Sequence, residues 1–366
     1  MKQEQREAKS EVTQVAPNVL RIELPISMPG LGHVNCYALL DEDGATLMDP
    51  GLPGPATQEA LTQRLAQAGL RATDVHTVII THSHPDHFGS ANWLQESGGA
   101  RIVAYKSFGW GIGLGPSSHD HHHHHDHEVS VDDLQAQIDA AEPPDPELSL
   151  HERWLRRRER PSPWGGTPIG VSLETRESKV AKMMASGNFF PNISHPVSDG
   201  DVLTVGGREW FVRFTPGHTS DHFCLHSPEL EILLSGDHVL PSITPHIAGT
   251  GAYADPLKLY MESLDQVAAL EHVSNVLPAH GDPFDNLETR TQAIKQHHFE
   301  RLERAKQIGT ELGAATVEAF SQKLFPERSW GSMAESETYA HLEHLRHARE
   351  AESQTGEDGK LLYVMR

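Results

Sequence analysis

The chain has 366 residues, with 51 Asp and Glu against 30 Lys and Arg and a formal charge of −21. That balance argues against a general nucleic-acid surface, which needs a basic face to neutralise phosphates, and no uninterrupted apolar run approaches the length of a membrane helix. Its two cysteines, Cys36 and Cys224, lie in apolar strand-like contexts without metal spacing; they form no disulfide framework, and a reducing cytoplasm is the expected compartment.

Residues 1–14 are charged and lack an apolar core, so they read as a flexible leader and not as a secretory signal. Alternation predicts strands over 19–24 and 34–40, and Asp43-Gly44 is a hairpin-type turn into a strand over 45–48. Residues 56–70 carry a helical stripe through Ala60, Leu61 and Leu65, with Gly69 near the end. Val78-Ile79-Ile80 is a short buried strand, and directly after it comes His82-Ser83-His84-Pro85-Asp86-His87. Strand alternation would face His82, His84 and Asp86 one way and swing His87 to the other side. Imidazole plus carboxylate without thiolate suits Zn²⁺, Fe or Mn.

After a strand over 102–104, residues 106–196 are poor in strand signals. They hold the glycine-rich stretch 109–115, a histidine run over 119–127, and the arginines Arg153, Arg156, Arg157, Arg158 and Arg160. The histidine run could collect metal or be a solvated loop. Arg156, Arg157 and Arg158 are a solvated face or a clamp for a substrate phosphate or carboxylate. Met183, Met184, Phe189 and Phe190 read as an apolar lid or as packing for this insertion.

Further strands over 202–205, 210–214, 232–234 and 276–277 follow. Three of them repeat one device: a buried strand, a small or turn-forming residue, then a ligand-type side chain. Thr215-Pro216-Gly217-His218, Ser235-Gly236-Asp237-His238 and Pro278-Ala279-His280-Gly281 are the three. Four strand ends delivering seven ligands read as a two-metal site with an oxygen nucleophile between the ions. From about 288 the pattern is helical, over 293–312, 315–324 and 335–351, before a closing strand at 359–364. His341, His344 and His347 follow one helix side and read as a surface metal site or as partly exposed histidines.

As an ordered set, T-H-x-H-x-D-H, T-P-G-H, S-G-D and P-A-H-G resemble the metallo-β-lactamase-fold hydrolases over roughly residues 17–290. The resemblance implies an α/β fold, a four-layer αββα sandwich over 15–287 interrupted by an insertion at about 107–195. It also implies a small helical winged-helix-like domain over 288–366. It assigns His82, His84 and His218 to one metal and Asp86, His87 and His280 to a second, with Asp237 bridging both. Asp49 falls where the family keeps a buried carboxylate that steadies the ligand loop; as a turn-initiating residue before Pro50-Gly51 it has a local reason as well.

Within the family, Asp237 stands where true β-lactamases usually have cysteine, and His84 where flavin-linked diiron reductases have glutamate. What remains resembles glyoxalase II-like and acyl-thioester hydrolases, with lactonases next and a metal-dependent ribonuclease third. The expected enzyme is a hydrolase with two divalent ions, zinc by default and Fe or Mn admissible. Asp86 would orient the nucleophile and pass its proton, and His238, His246 and Tyr253 are candidate groups facing the substrate carbonyl. Its substrate would be a small anionic molecule, with no membrane or nucleic-acid partner; a homodimer is entertained without a motif that fixes it. The non-enzyme alternative is a metal-storage or metal-sensing protein using the histidine run, which would not need a bridging Asp237.

Overall fold

Alternation of side chains along the strands decides the layers. In β3 (Leu31–Leu40), Val34, Cys36 and Ala38 point to one apolar core and Tyr37 and Leu39 to another. In β5 (Val75–Ile80), Val78 and Ile80 take the first side and Ile79 the second. Strands buried on both faces in this way must be covered on both sides. The computed structural model describes residues 2–28, 30–109, 129–141, 147–159, 162–165, 189–250 and 253–366.

These strands form a seven-stranded sheet in sequence order: β1 (Thr13–Ala16), β2 (Val19–Met28), β3, β4 (Ala45–Met48), β5, β6 (Arg101–Tyr105) and β7 (His195–Val197). A second sheet of five strands runs β12 (Asn275–Pro278), β11 (Ile232–Gly236), β10 (Phe223–Ser227), β9 (Arg208–Phe214) and β8 (Val202–Val205). Between the sheets lies a core that includes Tyr37, Ile79, Tyr105, Trp210, Phe214, Phe223 and Leu234. Fully burying one such large side chain stabilises the fold by about 1.5–3 kcal/mol.

On the outer face of the first sheet, helices α1 (Pro55–Gln67) and α3 (Ala91–Gly98) bury Leu61, Leu65 and Leu94 against Ile22, Leu47 and Val78. The outer face of the second is covered by α6 (Pro256–Ala268) and α7 (Leu287–Leu312) through Leu257, Leu264 and Ile294. The result is the expected four layers. Asp43-Gly44 does turn β3 into β4: Gly44 has φ +142°, and a Cβ there would meet the carbonyl of Asp74 at 2.0 Å.

Residues 2–12, expected to be a flexible leader, lie against the domain. Glu4 is buried and accepts the amides of Ser242 and Ile243, and the carbonyl of Arg6 meets His33 Nδ1 at 2.8 Å. The leader's charges are partners for buried polar groups, which a reading of composition alone does not show.

The insertion contributes α4 (Val131–Ala140), α5 (Leu150–Glu159) and a short piece around Trp164. Val131, Leu134 and Ile138 of α4 bury against the inter-sheet core. Phe189 stacks on Phe88 at 5.5 Å, and Phe190 packs beside it, which matches the packing role read for them. Trp164 reaches the C-terminal elements, donating its indole N–H to Glu335 at 2.9 Å. The histidine run 119–127 and Arg160, Met183 and Met184 lie outside the described residues. So do the side chains of Arg156, Arg157 and Arg158 on α5.

At the C-terminus α7, α8 (Val317–Leu324) and α9 (Ser332–His347) pack with a three-stranded sheet ordered β13 (Ala315–Thr316), β15 (Leu361–Met365), β14 (Ala351–Thr355). The helix expected over 335–351 ends sooner, because Arg349 takes φ +61° and the chain enters β14. Helical composition in 350–355 is overridden by antiparallel pairing with β15. Among the described residues no helix is long and apolar enough to cross a membrane.

Candidate metal centre

The ends of β5, β9, β11 and β12 all open on one side of the sandwich, so the four loops that follow them converge. They bring together His82, His84, His218 and Asp237 as one group and Asp86, His87 and His280 as a second. Pro85 starts a four-residue helical turn, Pro85–Phe88 (α2). Extended alternation would place Asp86 beside His82 and His84; the helical turn instead groups it with His87.

Distances within the cluster are short. Nδ1 of His84 lies 3.0 Å from Nε2 of both His82 and His218. Asp237 faces both groups, with Oδ2 at 3.6 Å from His218 and 3.5 Å from His87, and Oδ1 at 3.3 Å from His280. Asp86 Oδ2 stands 3.6 Å from His87 Nε2 and 3.5 Å from His280 Nε2.

The outer nitrogen of each ring other than His84 is engaged. His82 Nδ1 meets Thr81 Oγ1 at 3.0 Å, and His87 Nδ1 meets Asp49 Oδ2 at 2.8 Å. His218 Nδ1 donates to the carbonyl of His246 and His280 Nδ1 to that of His33, both at 2.7 Å. With the proton on the outer nitrogen of His218 and His280, the inner Nε2 presents its lone pair to the centre. Asp49 also accepts Thr81 N–H at 2.9 Å and Thr81 Oγ1–H at 2.8 Å, so one buried carboxylate anchors both the strand end and His87. It sits at φ +55°, so its turn role and its anchoring role coexist.

Electrostatics follow from burial. Desolvation and neighbouring imidazoles hold His82 and His84 well below the usual histidine range. Burial works the same way on His87, yet Asp86, Asp237 and Asp49 together raise it well above that range. Asp237, whose own burial opposes ionisation, is held well below the carboxylate range by His280 and His87.

His87 Nε2, His280 Nε2 and Asp237 Oδ1 are buried without a hydrogen-bond partner. Buried polar atoms rarely go unpartnered, and here they face one another across a nitrogen-and-carboxylate donor set. These residues fit two divalent cations, with His82, His84 and His218 able to hold one, Asp86, His87 and His280 the other, and Asp237 reaching both. The absence of sulfur suits Zn²⁺, Fe or Mn.

The other candidate residues are placed differently. His246 uses its backbone carbonyl to hold His218, while its ring Nε2 lies 3.1 Å from the carbonyl of Met333. Tyr253 donates its phenol to the carbonyl of Ser220 at 3.2 Å. His238 is fully buried, packed edge-on to Tyr260, and burial pushes it down to about 3. Both cysteines are free and buried.

Sequence reasoning passes over Asp221 and His222. Asp221 accepts Ser83 Oγ–H at 3.1 Å and Gly109 N–H at 3.2 Å. His222 accepts Asp237 N–H at 3.1 Å. Their one signal is position, three and four residues after a ligand histidine and next to a strand.

A strand-end cluster of this kind between two facing sheets defines a metallo-hydrolase fold. The family model of the Metallo-beta-lactamase superfamily matches residues 29–109 and 122–280, and the chain belongs to that superfamily. It is similar to the probable metallo-hydrolase YqjP of Bacillus subtilis (strain 168), 25% identical over 90% of this chain and 92% of that protein. The lactamase-like protein vrtG of Penicillium aethiopicum is 38% identical over 30% of this chain, and the match covers only 33% of vrtG. Two crystal structures share the fold. A metallo-beta-lactamase family protein of Thermus thermophilus has a TM-score of 0.70 at 26% identity, covering 96% of this chain and 100% of that one. A beta-lactamase domain protein from Burkholderia ambifaria has a TM-score of 0.70 at 25% identity, covering 98% and 96%.

Proposed function

We propose that this protein is a dinuclear metal-dependent hydrolase acting on a thioester of the acyl-CoA or acyl-glutathione kind. The observation that carries the two-metal reading is Asp237, whose two oxygens face His218 and His87 on one side and His280 on the other at 3.3–3.6 Å. His82, His84 and His218 would hold one divalent cation, zinc by default, and Asp86, His87 and His280 a second, with Asp237 reaching both; bound there, the pair would supply an activated water and Lewis-acid polarisation of a carbonyl.

The chain's own groups do the rest. Asp86, which lies between His87 and His280, would take a proton from the attacking water and return it to the leaving sulfur. Fixed outer hydrogen bonds on His82, His87, His218 and His280 keep each ring aimed inward. Phe88, next to His87 in the chain, joins Phe108, Phe189 and Phe190 in an apolar cluster beside this loop.

Substrate class rests on chemistry around the centre. Asp237 in place of a cysteine argues against lactam hydrolysis, as the glyoxalase II-like resemblance does. A charge of −21 and 6% aromatic residues argue against RNA, which needs a basic groove and stacking faces. In this reading the arginines at 156–158 grip one terminal phosphate or carboxylate of the carrier, and the C-terminal helices with their small sheet form a winged-helix-like tail that does not read nucleic acid. The test is a hydrolysis screen over acyl-CoA, acyl-glutathione, lactone and single-stranded RNA, with metal content measured on the same sample. Thioester turnover that is mostly lost in Asp237→Ala is expected. Metal-dependent RNA or lactone cleavage without thioesterase activity would overturn the substrate assignment.

A further inference from the structure

His222 touches the candidate metal centre from behind and belongs to none of its ligand groups. It stands at the entry to β10, fully buried, with its ring 5.1 Å from that of His82. Its Nε2 accepts the backbone N–H of Asp237 at 3.1 Å. An amide hydrogen can only be accepted by an unprotonated nitrogen, so the ring proton is on Nδ1. That nitrogen lies 2.7 Å from Thr215 Oγ1 and donates to it. The imidazole is therefore neutral and locked in one tautomer between two ligand loops: Thr215 opens the His218 loop, and Asp237 closes β11.

The backbone is shaped around this contact. Gly236 takes φ +51°, and a Cβ there would stand 2.6 Å from His222 Nε2 and 3.1 Å from Thr81 Cβ. Only glycine lets the chain bring the Asp237 amide over the imidazole. The carbonyl of Gly236 also accepts Ala279 N–H at 2.9 Å, so the same peptide is tied to the His280 loop. The neighbouring Asp221 holds the remaining loop: its Oδ1 takes the Ser83 hydroxyl and its Oδ2 the Gly109 amide.

We infer that His222 is a positioning residue that fixes the backbone of Asp237, and through it the reach of one carboxylate to two metal ions. This rests on the two-metal reading of the seven ligands. Deleting the acceptor removes one of the two hydrogen bonds that hold the Gly236–Asp237 peptide and loosens it, and the carboxylate then serves one ion better than two. The first three-histidine group, in which His82 and His218 keep their outer hydrogen bonds, should retain its ion.

The experiment compares purified wild type, His222→Leu and His222→Gln after loading with Mn²⁺ and with Zn²⁺. Glutamine can return an acceptor oxygen to the place of Nε2. His222→Leu should lose one ion about 10–100-fold more readily to a competing chelator, the range seen when a group orienting a metal ligand is removed. It should also replace the spin-coupled Mn²⁺ signal by that of an isolated ion. His222→Gln should restore most of the coupling, which a residue acting only through packing would not do. If His222→Leu does not fold, Thr215→Val removes the partner of Nδ1 and should weaken the same ion to a smaller degree. Two ions held with unchanged affinity and coupling in His222→Leu, or in Thr215→Val where that is the variant available, overturn the inference. A wild type that never holds two ions overturns the two-metal reading beneath it instead.

Discussion

His82, His87 and His280 in the strand-end cluster, and His298 and His341 between the C-terminal helices, are all fully buried, yet their nitrogens are used in opposite ways. In the cluster, outer nitrogens are tied to fixed partners and inner ones face carboxylates. In the helical pair, His298 Nδ1 meets His341 Nε2 at 3.1 Å and His341 Nδ1 meets the Glu337 carbonyl at 2.7 Å, so the rings bond to each other and to the helix. Among the described residues no third metal-ligating side chain joins that pair. Burial of histidine alone therefore does not mark a site; convergence with carboxylates does.

The strongest way to break this comparison is Asp237→Ala. Metal content should fall from close to two ions toward one, and turnover by roughly 10²–10³-fold, the scale of removing a central electrostatic group. Elemental analysis and circular dichroism on one sample check this, since the sheets should stay folded. Near-normal activity with a single tightly bound ion would refute it.

Asp49→Ala tests whether the anchoring shell matters as much as the ligands. It removes the acceptor of both Thr81 and His87, and metal affinity should drop about 10–100-fold. Chelator competition reads the change.

The helical pair should show itself in acid and not in metal binding. Burial, then neighbouring positive groups, push His298 down to about 2; burial pushes His341 to about 4. Both lie below the unfolded value near 6.5, so the unfolded chain takes up protons first as pH falls. Their stabilising contribution is complete above that value and is lost as pH drops from about 6.5, through about 4 for His341 and on through about 2 for His298, at up to about 1.4 kcal/mol per pH unit for each ring. Denaturant unfolding between pH 7 and 4.5 should give a shallower slope in His298→Leu than in wild type, with metal content unchanged. Equal slopes would mean the pair is not the acid-sensitive element.

The smallest effect is expected from the histidine run. Replacing His121 through His125 by Gly and Ser should leave turnover at saturating metal near wild type, and at most slow the recovery of activity when metal is scarce. The run has no strand signal to fix its geometry, which a catalytic ligand needs. A large fall at saturating metal would place it in the active site.

Much of the site is legible in the chain because its logic is local. A β-branched run followed by a turn and a ligand names where a strand ends and what it presents, and the device recurs at His82, His218, Asp237 and His280. The four layers are what the family resemblance carried by these motifs implies, and the structure meets it with strands apolar on both faces, which require cover on both sides. Other features depend on contacts between segments far apart in sequence. Asp86 and His87 meet His280 only when the loops after β5 and β12 converge, and residues 2–12 dock because Glu4 finds the amides of Ser242 and Ile243. His238 and His222 look alike in the sequence, each beside a ligand loop; one is packed against Tyr260 and the other holds the Asp237 amide. Periodicity reports which face of an element is buried, but a hydrogen bond between residues fifteen or two hundred positions apart is set only when the sheets close on each other.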